Sequence, residues 1–218
     1  MSGHDWDEHA ASWEDRPDTH DYADRALESL VRLLDARGES LSGRRVLDFG
    51  CGTGLLTERL LPRVAEVVAV DASPAMLAVL EAKRSREGFD RVTIVSDILT
   101  PALLREDSRL SDGFDLVVAS SVLAFVSDHR QMVQTLASAL RPGGRLVHWD
   151  WELDPAEESP FGLSREAVRE ALVAAGLEDV EVEPAFTLSV TFGGPPEDGA
   201  EPPPPVEVTP LMASGRRA

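Results

Sequence analysis

The first regular alternation of apolar and polar positions begins at residue 22. In YADRALESLVRLLDAR (22–37), Ala26, Leu30, Leu33 and Leu34 recur at spacings of three and four. That period predicts a helix with one buried face, and Gly38 supplies its stop. Thereafter short apolar runs trade places with helical spacing. RRVLDFG (44–50), EVVAVDA (66–72), RVTIVSD (91–97) and FDLVVASS (114–121) are predicted strands, and RPGGRLVHWDWE (141–152) is a turn feeding a fifth. Helices are predicted at 53–61, 73–88, 128–140 and 164–176. Their ends carry capping chemistry: Ser73, Pro74 and Gly88 on the second, Asp128 with Gln131 on the third, Ser164 and Gly176 on the last. Residues 1–21 read as aromatic, acidic and irregular. Two more β-type segments, 179–191 and 206–214, flank a proline-rich loop (193–205) expected to be mobile.

Five strands alternating with helices predict an α/β fold, a doubly wound parallel sheet covered on both faces. Ligands bind such sheets outside the carboxyl ends of the strands, where strand order reverses. Composition narrows the setting. A chain of 218 residues, 43% hydrophobic, suits a single domain with a full core. No apolar run approaches the roughly 20 residues of a membrane span, and the polar start has no signal-peptide region. The single Cys51 excludes an internal disulfide framework. A soluble cytoplasmic protein with no membrane partner and no metal is expected. The net charge of −18 repels polyanions, so nucleic acid is not expected as a partner.

The chemistry concentrates in VLDFGCGTG (46–54). Gly50, Gly52 and Gly54 lie between a strand and a helix, where bare backbone allows positive φ and close approach to a ligand. The spacing fails the dinucleotide fingerprint, because Leu55 stands where Gly or Ala is needed. No Gly-Lys-Ser/Thr tripeptide exists. Asp48 at the strand end suits a ligand with a cationic amino group and resists pyrophosphate. Asp71, ending the second strand, suits the paired hydroxyls of a ribose. Asp97, ending the third and followed by Ile98, suits an adenine amino group and the face of its ring.

VLDFGCGTG, VVAVDAS, SDIL, FDLVVASSVLAFV and LRPGGRL together resemble the successive motifs of class I S-adenosylmethionine-dependent methyltransferases. The resemblance covers about residues 44–191, and VEVTPLMASGRR continues it; it is most similar to small methyltransferases related to the ubiquinone/menaquinone biosynthesis group. It implies a Rossmann-like, seven-stranded, mostly parallel sheet with an antiparallel last strand inserted beside the fifth. It implies a lid segment and helix at 1–42, an S-adenosylmethionine-binding domain at 43–218, and transfer of a methyl group to a small molecule. By the same resemblance, Asp48, Gly50, Cys51, Gly52 and Gly54 lie against the methionine part. Asp71 takes the ribose, Ala72 and Met76 flank the adenine, Asp97 and Ile98 take its edge, and Ser120 lies near the methionyl end. Cys51 is read as a packing residue. The chain departs from many relatives after the fourth strand, where VLAFV replaces a histidine-containing stretch, so no role carries over to Ala124 or Phe125.

A base must be sought elsewhere. In HWDWE (148–152), alternation sets His148 and Asp150 on one face and Trp149 and Trp151 on the other. His148 with Asp150 is the candidate base and orienter, against a structural role for both. His129 is expected to be solvated; His4, His9 and His20 lie in the N-terminal segment and are weaker candidates. Trp13 or Tyr22 is placed to meet a sulfonium by cation–π contact, and residues 4–22 are expected to form a lid. Two other classes stay open: a non-catalytic S-adenosylmethionine-binding or assembly protein, and an NAD-dependent oxidoreductase.

Overall fold

The computed structural model describes residues 6–153, 162–190 and 204–218. The predicted strands appear as β1 (Arg45–Phe49), β2 (Glu66–Asp71), β3 (Val92–Ser96), β4 (Phe114–Ser120) and β5 (Leu140–Asp150). They are joined by β6 (Leu177–Pro184) and β9 (Leu211–Arg217) in one seven-stranded sheet of order β3-β2-β1-β4-β5-β9-β6. Strands β1 to β5 run parallel; β9 runs antiparallel between β5 and β6. Strand order reverses between β1 and β4, which sets the switch point of the sheet there.

Side-chain alternation along the strands builds two cores. Leu47, Val68, Val117 and Leu146 face α4 (Pro101–Glu106), α5 (His129–Ala139) and α6 (Arg165–Ala174). Val46, Val67, Leu116 and Val147 face α1 (Pro17–Asp35), α2 (Leu55–Leu60) and α3 (Pro74–Glu87). Because helices cover both faces, the strand sequences read as near-continuous apolar runs. Trp149, fully buried, donates its indole N–H to Ser29 Oγ at 2.9 Å and so ties α1 to β5.

The helix starts follow their caps. Ser73 accepts from Met76 N at 3.2 Å and Gly88 closes α3 in the left-handed region. Asp128 and Ser164 cap α5 and α6 in the same way. Three expectations change. Residues 6–15 form a 3₁₀ helix, and α1 starts at Pro17, well ahead of Tyr22. The first turn of α1 is polar, so apolar spacing misses it; the signal was Pro17, whose fixed φ suits a first helical position. The short α4 was not anticipated because six residues show no period, although Thr100 caps it through Leu103 N. The expected segments 179–191 and 206–214 each split. Pro210 has no N–H to continue a ladder, and its carbonyl instead accepts from Ala185 N. The outer pieces, β7 (Leu188–Val190) and β8 (Val206–Val208), pair only with each other. Most of the expected proline-rich loop lies outside the described residues.

Candidate functional site

A cavity of about 790 Å³ opens at the carboxyl ends of β1 to β4, within the usual range of small-molecule sites. Its floor is the loop after β1. Gly50, Gly52 and Gly54 all take positive φ, but for different reasons. A Cβ on Gly54 would lie 2.4 Å from Leu80 Cδ1, and one on Gly50 would lie 2.3 Å from Val122 Cγ2. A Cβ on Gly52 would meet nothing nearer than Met76 Sδ at 4.0 Å. Gly52 therefore borders open space on the cavity floor, whereas Gly54 lets α2 and α3 approach. Gly54 was expected at the ligand; it does not line the cavity.

Two carboxylates hold this floor. Asp48 is buried and accepts from Thr57 Oγ1 at 2.6 Å. Burial raises its pKa to about 7 despite that hydrogen bond, and the neighbouring Asp71 charge adds to the rise. Asp71 accepts from Gly52 N and Ser73 N, both at 2.8 Å. It therefore fixes the glycine loop to the start of α3, with lone pairs beyond those two bonds. Burial raises its pKa as well. Both groups are short of positive charge, which a cationic ligand would supply. Burial and the two carboxylates push the Cys51 thiol well up, so it stays protonated and packs.

Ala72, Met76, Asp97, Ile98 and Ser120 also line the cavity. Met76 is buried, while Ile98 leaves 53% of its surface open. Asp97 turns one oxygen onto Ile98 N at 2.7 Å.

The roof comes from the N-terminal segment. Trp6, His9, Trp13, Thr19 and Tyr22 line the cavity. Trp6 packs edge-on against Phe125 with ring centroids 5.0 Å apart. Asp7 accepts from Ser73 Oγ at 2.5 Å, and Glu14 pairs with Lys83 Nζ at 2.6 Å. Lys83, the only lysine, is buried and also pairs with Glu58 at 2.7 Å, joining the segment to α2 and α3. The sequence carried no sign of this role. Phe125, in the stretch read as a departure, sits on a short 3₁₀ turn (Leu123–Phe125) and supplies an aromatic wall.

His148 and Asp150 do pair, Nδ1 to Oδ2 at 3.2 Å, on the face opposite Trp149. Both are 1% exposed and neither lines the cavity. The other Asp150 oxygen accepts from Ala124 N at 3.0 Å, so the pair braces the turn after β4 from beneath. Strand alternation fixed the shared face but not its depth below the pocket. His129, expected in solvent, is half-buried with its ring 6.4 Å from that of His148; burial and His148 lower its pKa. His20 bonds to Glu14 O at 3.0 Å, outside the cavity lining. His4 lies outside the described residues.

Among the described residues no helix is long and apolar enough to cross a membrane, and no group of three metal-ligating side chains occurs. Residues 47–146 match a family model described as a methyltransferase domain. A ubiquinone biosynthesis O-methyltransferase of Xylella fastidiosa is 37% identical over 112 residues, 49% of this chain and 42% of that protein. The match thus spans less than half the length of that relative. The YcgJ protein of Bacillus subtilis superposes with a TM-score of 0.64 at 16% identity, over 87% of this chain and 98% of that one. DhpI, in its SAH complex, gives 0.64 at 22% identity over 98% and 93%. These two likenesses establish the fold.

Proposed function

From the premise that residues 47–146 form a methyltransferase domain, we propose that this chain is an S-adenosylmethionine-dependent methyltransferase acting on a small molecule. The observation that carries the reading is the open space over Gly52, set between Asp48 and Asp71 at the switch point of the sheet. The curated relative's name and the SAH complex of DhpI support it. Asp48 and the loop Gly50–Gly52 would hold the amino-acid end. Asp71 would take the ribose hydroxyls, and Ala72, Met76 and Ile98 would enclose the adenine beside Asp97. Ser120 stands near the methionyl end.

S-adenosylmethionine supplies an activated methyl group on a positively charged sulfur. The chain's part is to align the acceptor in line with that methyl and to keep water out. The aromatic roof over residues 6–22 does the second task as a lid, pinned by Asp7 on Ser73 and Glu14 on Lys83. Asp48 matches the cationic end with a carboxylate that ionises as the ligand binds. The buried His148–Asp150 pair positions the turn carrying Phe125 rather than moving a proton. Calorimetry with S-adenosylmethionine and S-adenosylhomocysteine tests the reading: micromolar binding of both is expected. Binding of NADH with neither of these would reverse it, and labelled methyl transfer to a metabolite panel separates an enzyme from a silent binder.

A further inference from the structure

Positive φ is strained for any residue but glycine, so each exception has a gain to be found. Among the described residues, ten glycines take positive φ and two other residues do, Asp179 and Ser121, both at +53°. Asp179 accounts for its conformation. Set in a bulge of β6, its carboxylate reaches Arg145 at 3.0 Å and Arg37 at 3.4 Å. Ser121 has no such gain within the protein. Its N–H donates to Trp149 O at 2.7 Å, as that of a glycine would. Its side chain is half-buried, lines the cavity, and bonds to no described residue. Thr53, Gln131 and Asp128 also present polar atoms to the cavity, but none of them takes positive φ. The neighbouring Ser120 hydroxyl is engaged with that of Tyr22. A serine held where glycine would be free of strain keeps its hydroxyl for a ligand.

Its place in the fold shows which ligand. Phe49 pairs with Ala119 in the β1–β4 register, so Ser121 stands just past the strand end, across the switch-point crevice from the glycine loop. Val122, the next residue, packs on Gly50, where an added Cβ would meet its Cγ2 at 2.3 Å. At the far end of the same turn, Phe125 meets Trp6 of the roof. Asp150 holds the turn from beneath through Ala124 N. Residues 121–125 thus form the seam of the cavity, with the glycine loop on one side and the aromatic wall of Trp6, Trp13 and Phe125 on the other. A methyl group passing from donor to acceptor crosses that seam.

We infer that the Ser121 hydroxyl holds the methyl acceptor by the atom that receives the methyl, an oxygen or nitrogen bearing hydrogen. The hydroxyl oxygen accepts that hydrogen and so turns a lone pair toward the methyl carbon. The lone pair forms the O–C or N–C bond, the carbon–sulfur pair returns to sulfur, and the acceptor's proton leaves to solvent. Ser121 orients the acceptor and is neither base nor nucleophile. A carbon acceptor would offer its oxygen no such hydrogen. The inference rests on the proposed function, and its test separates the two.

The test is calorimetry with S-adenosylhomocysteine and sinefungin on the wild-type chain, Ser121→Ala and Ser121→Gly. Sinefungin carries an amine where S-adenosylmethionine carries its methyl, so it sets an N–H donor at the transfer point. It should bind the wild-type chain tighter than S-adenosylhomocysteine does. In both variants that advantage should fall about tenfold, the worth of one hydrogen bond to a charged group, while S-adenosylhomocysteine affinity stays the same. The melting temperature should hold in Ser121→Ala and hold or rise in Ser121→Gly, where the strain is relieved. An unchanged sinefungin advantage overturns the inference. Equal loss for both ligands does so too, by setting the hydroxyl on the part that they share, and a lower melt in Ser121→Ala would make it a support of the fold instead. A wild-type chain that binds neither ligand would remove the proposed function, and this inference with it.

Discussion

The two halves of the cavity are built by different means. The half at β1 to β3 comes from residues 48–101, and backbone geometry governs it. Asp71 holds Gly52 N and Ser73 N, Asp48 holds Thr57, and three glycines take conformations that L side chains rarely adopt. The other half gathers residues from Trp6 to Val190, and side-chain bulk governs it. A few polar pins hold its roof: Asp7 on Ser73, and Glu14 on Lys83. A backbone-built site suits a ligand that never varies, because each atom is fixed by covalent geometry. A wall of apolar side chains can be recut by single substitutions while the sheet beneath stays the same.

The sharpest way to break this contrast is inside the glycine loop. Gly54→Val forces a side chain into Leu80, so overpacking and left-handed backbone together should cost about 3 kcal/mol or more of stability. Gly52→Val should cost only about 1–2 kcal/mol, the backbone term alone, yet abolish S-adenosylhomocysteine binding. Thermal melts with calorimetry read both; equal loss of stability in the pair would erase the distinction drawn between the two glycines. Asp71→Ala comes next. It strips acceptors from two backbone N–H groups, at about 1–3 kcal/mol for each one left unsatisfied. Denaturant melts should therefore show a stability loss alongside lost affinity; an unchanged melt would mean that water serves those donors. Lys83→Met tests the roof. It leaves Glu14 and Glu58, both partly solvated, without their shared cation, so the cost should be about 1–2 kcal/mol, below that of a fully buried pair. Hydrogen exchange should rise across residues 6–22 and stay constant over 46–54.

The smallest effect is a pH slope. Folding raises the pKa of Asp48 to about 7, so the folded chain binds that proton more tightly than the unfolded one. Stability should therefore decline as pH climbs from the ordinary carboxylate range to about 7, then level off. A cationic ligand prefers the ionised group, so its affinity should rise with pH over the same window, by at most about tenfold per unit. Proton release measured by calorimetry in two buffers, lost in Asp48→Asn, checks the assignment.

The contrast also explains what could be read beforehand. The strand-end acids were legible because each short apolar run is broken at its carboxyl end by the acid itself, the first of them just ahead of the glycine turn. Helix caps at Ser73, Asp128 and Ser164 were legible for the same local reason. That Gly54 packs against Leu80 and does not line the cavity was not legible, because a glycine beside open space and one needed for helix contact look alike in a row of letters. His148 was placed on the right face, but alternation carries no measure of depth. Phe125 was set aside because it fills a position where relatives carry other chemistry.

What the sequence determined by itself were the parts decided by neighbours in the chain: strand and helix order, the capped helices, and the acids at Asp48, Asp71 and Asp97. Only the tertiary structure decided which glycine opens onto the cavity and that the sole lysine pins the roof. Those facts depend on contacts between residues dozens of positions apart, such as Glu14 with Lys83 and Trp6 with Phe125. Local propensity sets the backbone path, but the burial and pairing of a side chain are settled by whatever distant segment arrives beside it.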